Sequence, residues 1–249
     1  MNRRRFVITA ASALLTANTH AETRPRIAII IDDLGYQLAA GRRALELPGP
    51  IAFAVLPETP YGRRLAMLAN EAGREVLLHL PLESVNHEGP AEPGGITLDM
   101  SRGVFGAAFA EAIATVPFAV GVSSHRGSLL TRHPGHMAWL MEEIRAREDL
   151  FFIDSYTTHE SIALQVAREE GVTATRRDVF LDHERTVEAV SREFERLKKK
   201  ARKQGHAVGI GHAFPETLEV LEEQLPLLEE QGFELVTIGK LIRDERNRI

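Results

Sequence analysis

Apolar residues gather into short runs along the chain, at 26–32, 51–56, 75–79, 118–123, 151–154, 178–181, 207–211 and 234–238. Several are continuous, as in Ile27-Ala28-Ile29-Ile30-Ile31, where a half-exposed strand would alternate. Strands covered on both faces read this way, so the runs predict a parallel sheet beneath helices. Helical patterns fall between them: 61–72 closing on Gly73, 101–116 opening on Ser101, and 134–147 opening on Pro134. Two more follow, 160–170 ending at Gly171 and 215–231 ending at Gly232. Strand-then-helix repetition is the signature of α/β architecture. Seven or eight such units in residues 22–249 suit a (β/α) barrel, with an open doubly wound sheet as the alternative. No Gly-rich phosphate loop follows the first strand, which weakens a nucleotide-binding reading. No linker or composition break divides 22–249, so one domain is expected.

The first 21 residues carry a different pattern. Arg3-Arg4-Arg5, an apolar run from Phe6 to Leu15 and Thr19-His20-Ala21 read as a secretory signal peptide, with a resemblance to the twin-arginine type. The run is shorter than the ~20 residues that span a bilayer, so no stable membrane anchor is expected and the mature protein is placed in the periplasm. The 249 residues include no cysteine, which removes disulfides, thiolate nucleophiles and cysteine metal sites; any metal must take nitrogen and oxygen ligands. A net charge of −5 gives no basic footprint for nucleic acid. The stretch 83–99, rich in Gly and Pro, is long enough for a lid or binding rim. The basic run 196–203 closes a helix that starts acidic after Asp182 and reads as a solvated face.

Ionisable residues fall where the strands end. Asp32-Asp33 close the first, His79 the third with Glu83 beyond it, Ser123-Ser124-His125 the fourth and Asp154 the fifth; Asp182 follows the sixth and His212 the seventh. The carboxyl ends of parallel strands converge on one rim, where sites form. A row of charged groups there is hard to explain as packing. Adjacent carboxylates allow one to ligate a cation while the other serves as base. One carboxylate and two His suit a divalent ion, Zn²⁺ first, with Co²⁺, Ni²⁺ or Mn²⁺ as alternatives. A His opposite, His212, can protonate a leaving nitrogen. The set favours metal-assisted hydrolysis. Asp154 reads equally as a site residue or a helix cap, Arg177 and Asp182 as an ion pair beneath the rim, and His133 and His136 as surface residues.

Together, Arg26-Ile-Ala-Ile-Ile-Ile-Asp-Asp-Leu-Gly-Tyr36, Phe53-Ala-Val-Leu-Pro57, His79-Leu-Pro-Leu-Glu83, Gly121-Val-Ser-Ser-His-Arg-Gly-Ser128 and Gly211-His212 resemble the divergent polysaccharide deacetylases. These are exported bacterial proteins distantly related to the metal-dependent carbohydrate deacetylases. The resemblance spans nearly all of 26–241. It implies a distorted seven-stranded parallel (β/α) barrel, with Asp32 as base, Asp33 as metal ligand and His212 as acid. Ordinary deacetylases carry two metal His in one His-x-x-x-His motif. His79 has no second His at that spacing, and His125, one strand later, is the candidate for the missing ligand. Glu83, Ser124 and Asp154 are the expected substrate contacts, and an envelope polysaccharide or peptidoglycan-like glycan is the expected partner. Two rival readings remain: a degenerate barrel that binds glycan or a protein partner, and a metal-free glycosidase using Asp32 and Asp154.

Overall fold

The computed structural model describes residues 24–86, 92–147 and 149–246. The leader 1–21, His87 and Gly89-Pro90 of the long loop lie outside them. Nine strands and eight α-helices are formed: β1 Arg26–Leu34, α1 Leu38–Leu45, β2 Ala52–Val55, α2 Gly62–Glu71, β3 Glu75–Leu82, α3 Arg102–Thr115, β4 Ala119–Arg126, α4 Pro134–Arg145, β5 Phe151–Asp154, α5 Ala163–Glu169, β6 Ala174–Arg176, β7 Val179–Phe180, α6 Val187–Gln204, β8 His206–His212, α7 Pro215–Gln224, β9 Glu234–Leu235 and α8 Ile238–Arg246, among the described residues. All pairings between strands are parallel, in the order β6-β5-β4-β3-β2-β1-β8-β7, with β9 beside the start of β1. The α/β barrel expected from the sequence is therefore present, curled and distorted, with eight strands around it rather than seven.

The barrel closes through the chain between β6 and β7. β6 and β7 are the two ends of the sheet yet adjoin in sequence. The Arg177 N–H donates to the Asp154 carbonyl on β5, and the next N–H, of Asp178, donates to the Val208 carbonyl on β8, each at 2.9 Å. The last seam is closed by the chain itself, without a ladder between β6 and β7.

Alternation along the strands sorts the core into two compartments. Ala28, Ile30, Ala52, Ala54, Leu77, Ile153, Val208 and Ile210 fill the barrel, together with Ile238, Leu241 and Ile242 of α8. The helix is fastened at the starts of strands, by Arg26 to Asp244 and by the Gly239 N–H to Glu75, and so covers the N-terminal mouth. The opposite parity, with Ile27, Ile29, Ile31, Phe53, Val76 and Leu78, packs under the outer helices. Above the apolar plug the inward positions become Asp32, His79, Ser123, His125 and His212, at the C-terminal mouth.

Two expected elements differ. The run at 234–238 forms a two-residue strand and then turns into α8, whose buried Ile238, Leu241 and Ile242 repeat at helical spacing. The helix expected over 215–231 stops at Gln224 and continues as a 3₁₀ turn at Leu225–Leu227, because Pro226 has no N–H to carry the α pattern onward.

Candidate active site

Register places the first pair of acids. Ile31 pairs with Phe53 and Leu34 with Val55, so β1 spends one more residue than β2 over the same span. This is a β-bulge, and Asp33 sits in it at φ +61°, a conformation that re-aims a side chain. Asp32 and Asp33 consequently reach the same mouth although they are neighbours on one strand. Asp32 is buried and Asp33 half-buried.

Three ligand atoms meet there. Asp33 Oδ1 lies 3.1 Å from His79 Nε2 and 2.9 Å from His125 Nδ1, and the two ring nitrogens are 3.1 Å apart. The other nitrogen of each ring is already engaged: His79 Nδ1 with Ser123 Oγ at 2.7 Å, and His125 Nε2 with Glu92 Oε2 at 3.1 Å. With those outer nitrogens protonated and the inner ones bare, both rings can offer lone pairs beside Asp33, as metal binding requires, whereas a proton on either inner nitrogen is donated to Asp33. Asp33 Oδ1 is itself a buried oxygen with no aligned hydrogen-bond donor. Three mutually facing acceptors make a cation's donor set, and the triangle is close to the ~3.0–3.4 Å ligand–ligand edge of a site with ~2.1 Å bonds. The residues fit a divalent metal, and Asp33, His79 and His125 would hold it.

Asp32 flanks this cluster, with Oδ2 3.5 Å from His79 Nε2 and Oδ1 without a hydrogen-bond partner among the described residues. Burial raises its pKa, against the opposing pull of His79 and His212. Burial also acts upward on Asp33, but the His125 and His79 rings outweigh it and hold that carboxyl well below the usual range. Two adjacent carboxylates are thus pushed in opposite directions, as a base and a ligand require. His79 moves upward: burial opposes its charge, and Asp32 and Asp33 overcome that.

His212 faces the cluster from β8, with Nε2 3.4 Å from Asp33 Oδ2. Its Nδ1 lies 3.0 Å from Asp182 Oδ1, while Asp182 Oδ2 accepts the His212 N–H at 2.6 Å and the Thr217 hydroxyl at 2.8 Å. Burial would lower the His212 pKa; Asp182, through hydrogen bond and charge, raises it.

The expected substrate contacts are placed elsewhere. Ser124 lies on the opposite parity of β4 from His125, buried, and its hydroxyl accepts the Ser155 N–H at 3.0 Å. Asp154 is buried within its own loop, accepting the Tyr156 N–H and the Ser161 hydroxyl. Glu83 accepts the Leu98 N–H and pins the long loop back onto β3. The ion pair expected between Arg177 and Asp182 is not formed. Arg177 instead donates to the carbonyls of Ser155 and Tyr156 at 2.5 and 2.9 Å, while Asp182 turns to His212. His136 is buried beside His133 rather than on the surface, and Lys198 of the basic run is buried with Gln231 as partner.

Three functional groups were not anticipated in their roles: Ser123, Glu92 and Asp182. Ser123 was readable, since His125 facing inward requires Ser123 to do the same. Glu92 arrives from the long loop, where no periodicity predicts direction.

A family model, the divergent polysaccharide deacetylases, matches residues 29–242, and the chain belongs to that family. An uncharacterised protein of Haemophilus influenzae is 36% identical over 239 residues, covering 96% of this chain and 84% of its own. Among solved structures, an uncharacterised protein of Agrobacterium tumefaciens superposes with a TM-score of 0.83 at 22% identity, over 89% of this chain and 90% of that one. The catalytic domain of a peptidoglycan N-acetylglucosamine deacetylase from Eubacterium rectale gives 0.55 at 15% identity, over 90% and 94%. A mutant of a Bacillus anthracis CE4-family pseudoenzyme with restored activity gives 0.53 at 15%, over 88% and 68%. These structural likenesses show a fold shared with carbohydrate deacetylases. No helix among the described residues is long and apolar enough to cross a membrane.

Proposed function

We propose that this protein is an exported, metal-dependent hydrolase that removes N-acetyl groups from an envelope glycan. The observation carrying this reading is the meeting of Asp33 Oδ1, His79 Nε2 and His125 Nδ1 within 3.1 Å of one another, with their outer nitrogens committed to Ser123 and Glu92. When bound, a divalent ion, Zn²⁺ by the donor set, supplies Lewis acidity and a lowered water pKa. Asp32, whose affinity for a proton is raised by burial, takes the proton from the attacking water. His212, protonated and oriented by Asp182, gives its proton to the departing nitrogen as the C–N bond breaks, leaving acetate and a free amine. Family membership and the basic, apolar, small-residue order of the first 21 residues support a glycan substrate and export.

The second reading is a barrel that binds glycan without cleaving it. The second His arrives from β4 rather than from the short motif of ordinary deacetylases, and a pseudoenzyme shares the fold. Metal analysis of the purified protein, paired with acetate release from chitooligosaccharide and peptidoglycan fragments, separates the two. Stoichiometric metal lost in Asp33→Ala and His125→Ala, with acetate released by the wild type, supports the hydrolase. A metal-free protein that releases no acetate overturns it, and bound metal without acetate selects the binding module.

A further inference from the structure

A cleft opens beside the metal-type cluster, between α1 and the start of α7, with about 1340 Å³ of space including its mouth. Asp32, Asp33 and His212 line its inner end, and Tyr36, Arg185 and Phe214 its outer part. Tyr36 is 56% exposed, an aromatic ring offered to solvent at the cleft. The cleft's charges are unevenly spent. Arg43 is clamped by both oxygens of Glu222 at 2.9 Å each. The guanidinium of Arg185 instead lies 3.7 Å above the Phe214 ring, which in turn stands 5.1 Å from the His212 ring at 33°. Stacking occupies the flat face of a guanidinium and leaves its N–H edge open. No carboxylate among the described residues lies within ion-pair distance of that edge. An exposed arginine stacked on an aromatic ring, with its N–H edge unpaired among the described residues, can receive a planar oxyanion in bidentate fashion.

We propose that Arg185 is the anion-recognition point of this cleft, so that the glycan it accepts carries a carboxylate within a sugar or two of the reacting amide. This rests on reading the site as a deacetylase, but binding tests it separately. Calorimetry on the full chain would compare neutral chitotetraose, a muramic-acid-containing glycan fragment with its lactyl carboxylate, and an N-acetylated oligosaccharide alternating with uronic acid. At least one acidic probe should bind on the order of tenfold tighter than chitotetraose. Arg185→Ala should erase that difference while leaving chitotetraose unchanged, and Arg185→Lys should restore part of it. Whichever acidic probe responds identifies the carboxylate. Equal binding of all three probes, binding of none, or an equal loss for all three in Arg185→Ala overturns the proposal. Acetate release without acidic preference ends the Arg185 subsite and leaves the hydrolase reading intact. Acidic preference without acetate from any probe does the reverse.

Discussion

Asp182 concentrates structure and chemistry in one carboxylate, and its replacement should divide the two. Its side chain is wholly buried and receives the His212 N–H, the Thr217 hydroxyl and the His212 ring. In Asp182→Ala the main-chain N–H and the hydroxyl lose their acceptor in a dry place, at about 1–3 kcal/mol each. The loss should therefore total roughly 2–6 kcal/mol, a large share of the ~5–15 kcal/mol that holds a domain folded. Asparagine keeps one oxygen for those two donors, so Asp182→Asn should stay within about 2 kcal/mol of wild type. It nonetheless turns an amide N–H toward His212 Nδ1 and removes the charge that raises the His212 pKa. In the proposed reaction His212 acts as an acid only while protonated. Its raised pKa should therefore carry wild-type activity to higher pH, and in Asp182→Asn the basic limb should fall at lower pH, with kcat reduced by about 10²–10⁴. Urea unfolding and a pH–rate profile of acetate release check both halves. Wild-type kcat and an unmoved basic limb in Asp182→Asn, or an Asp182→Ala within 0.5 kcal/mol or so of wild type, would refute the role assigned here.

Other outcomes follow from the same geometry. Zinc at 100 to 1,000 times its Kd should stabilise the protein by about 2.7–4.1 kcal/mol, raising Tm by roughly 5–16 °C. Thermal shifts should show this lost in Asp33→Ala and His125→Ala and kept in His159→Ala, at an exposed loop histidine outside the cluster; an equal shift in Asp33→Ala would speak against the ligand set. Glu92→Gln, which weakens the carboxylate holding His125 Nε2, should lower zinc affinity by about 10–100-fold in calorimetry, and unchanged affinity would remove Glu92 from the site. Burial would raise the Glu143 pKa, but Arg102 and Arg147 outweigh it and lower it. Its stabilisation is therefore present above the unfolded value of about 4.3 and lost as pH falls through the lower folded value. Acid denaturation of Glu143→Gln should accordingly show a flatter pH dependence below that point, and an unaltered curve contradicts the assignment.

Much of the architecture could be read because buried parallel strands leave continuous apolar runs, and the polar residues that interrupt those runs mark the rim. Asp32, Asp33, His79, His125 and His212 stood out for that reason. β6 escapes a reading by apolar runs because Ala174-Thr175-Arg176 has none of its own and is placed by its ladder to β5. Ser123 follows from strand parity with His125, whereas Glu92 sits on a loop, where no parity points to it. Asp182 reaches His212 across neighbouring strands, a pairing that depends on β7 and β8 lying side by side. Periodicity reports the face of an element; partners from separate elements follow from topology alone.

The seam at Arg177 and Asp178 also bears on solubility. Because two successive amides serve opposite edges of the sheet, one peptide bond separates a barrel from an open, curled ribbon. β6 and β7 share no ladder, so a proteolytic nick there, or a circular permutation opening between these residues, would cut the link that holds two unpaired edges together and leave each free to spread and add a strand from another molecule. Continuity of the chain at this point thus guards against self-association as well as shaping the site above it.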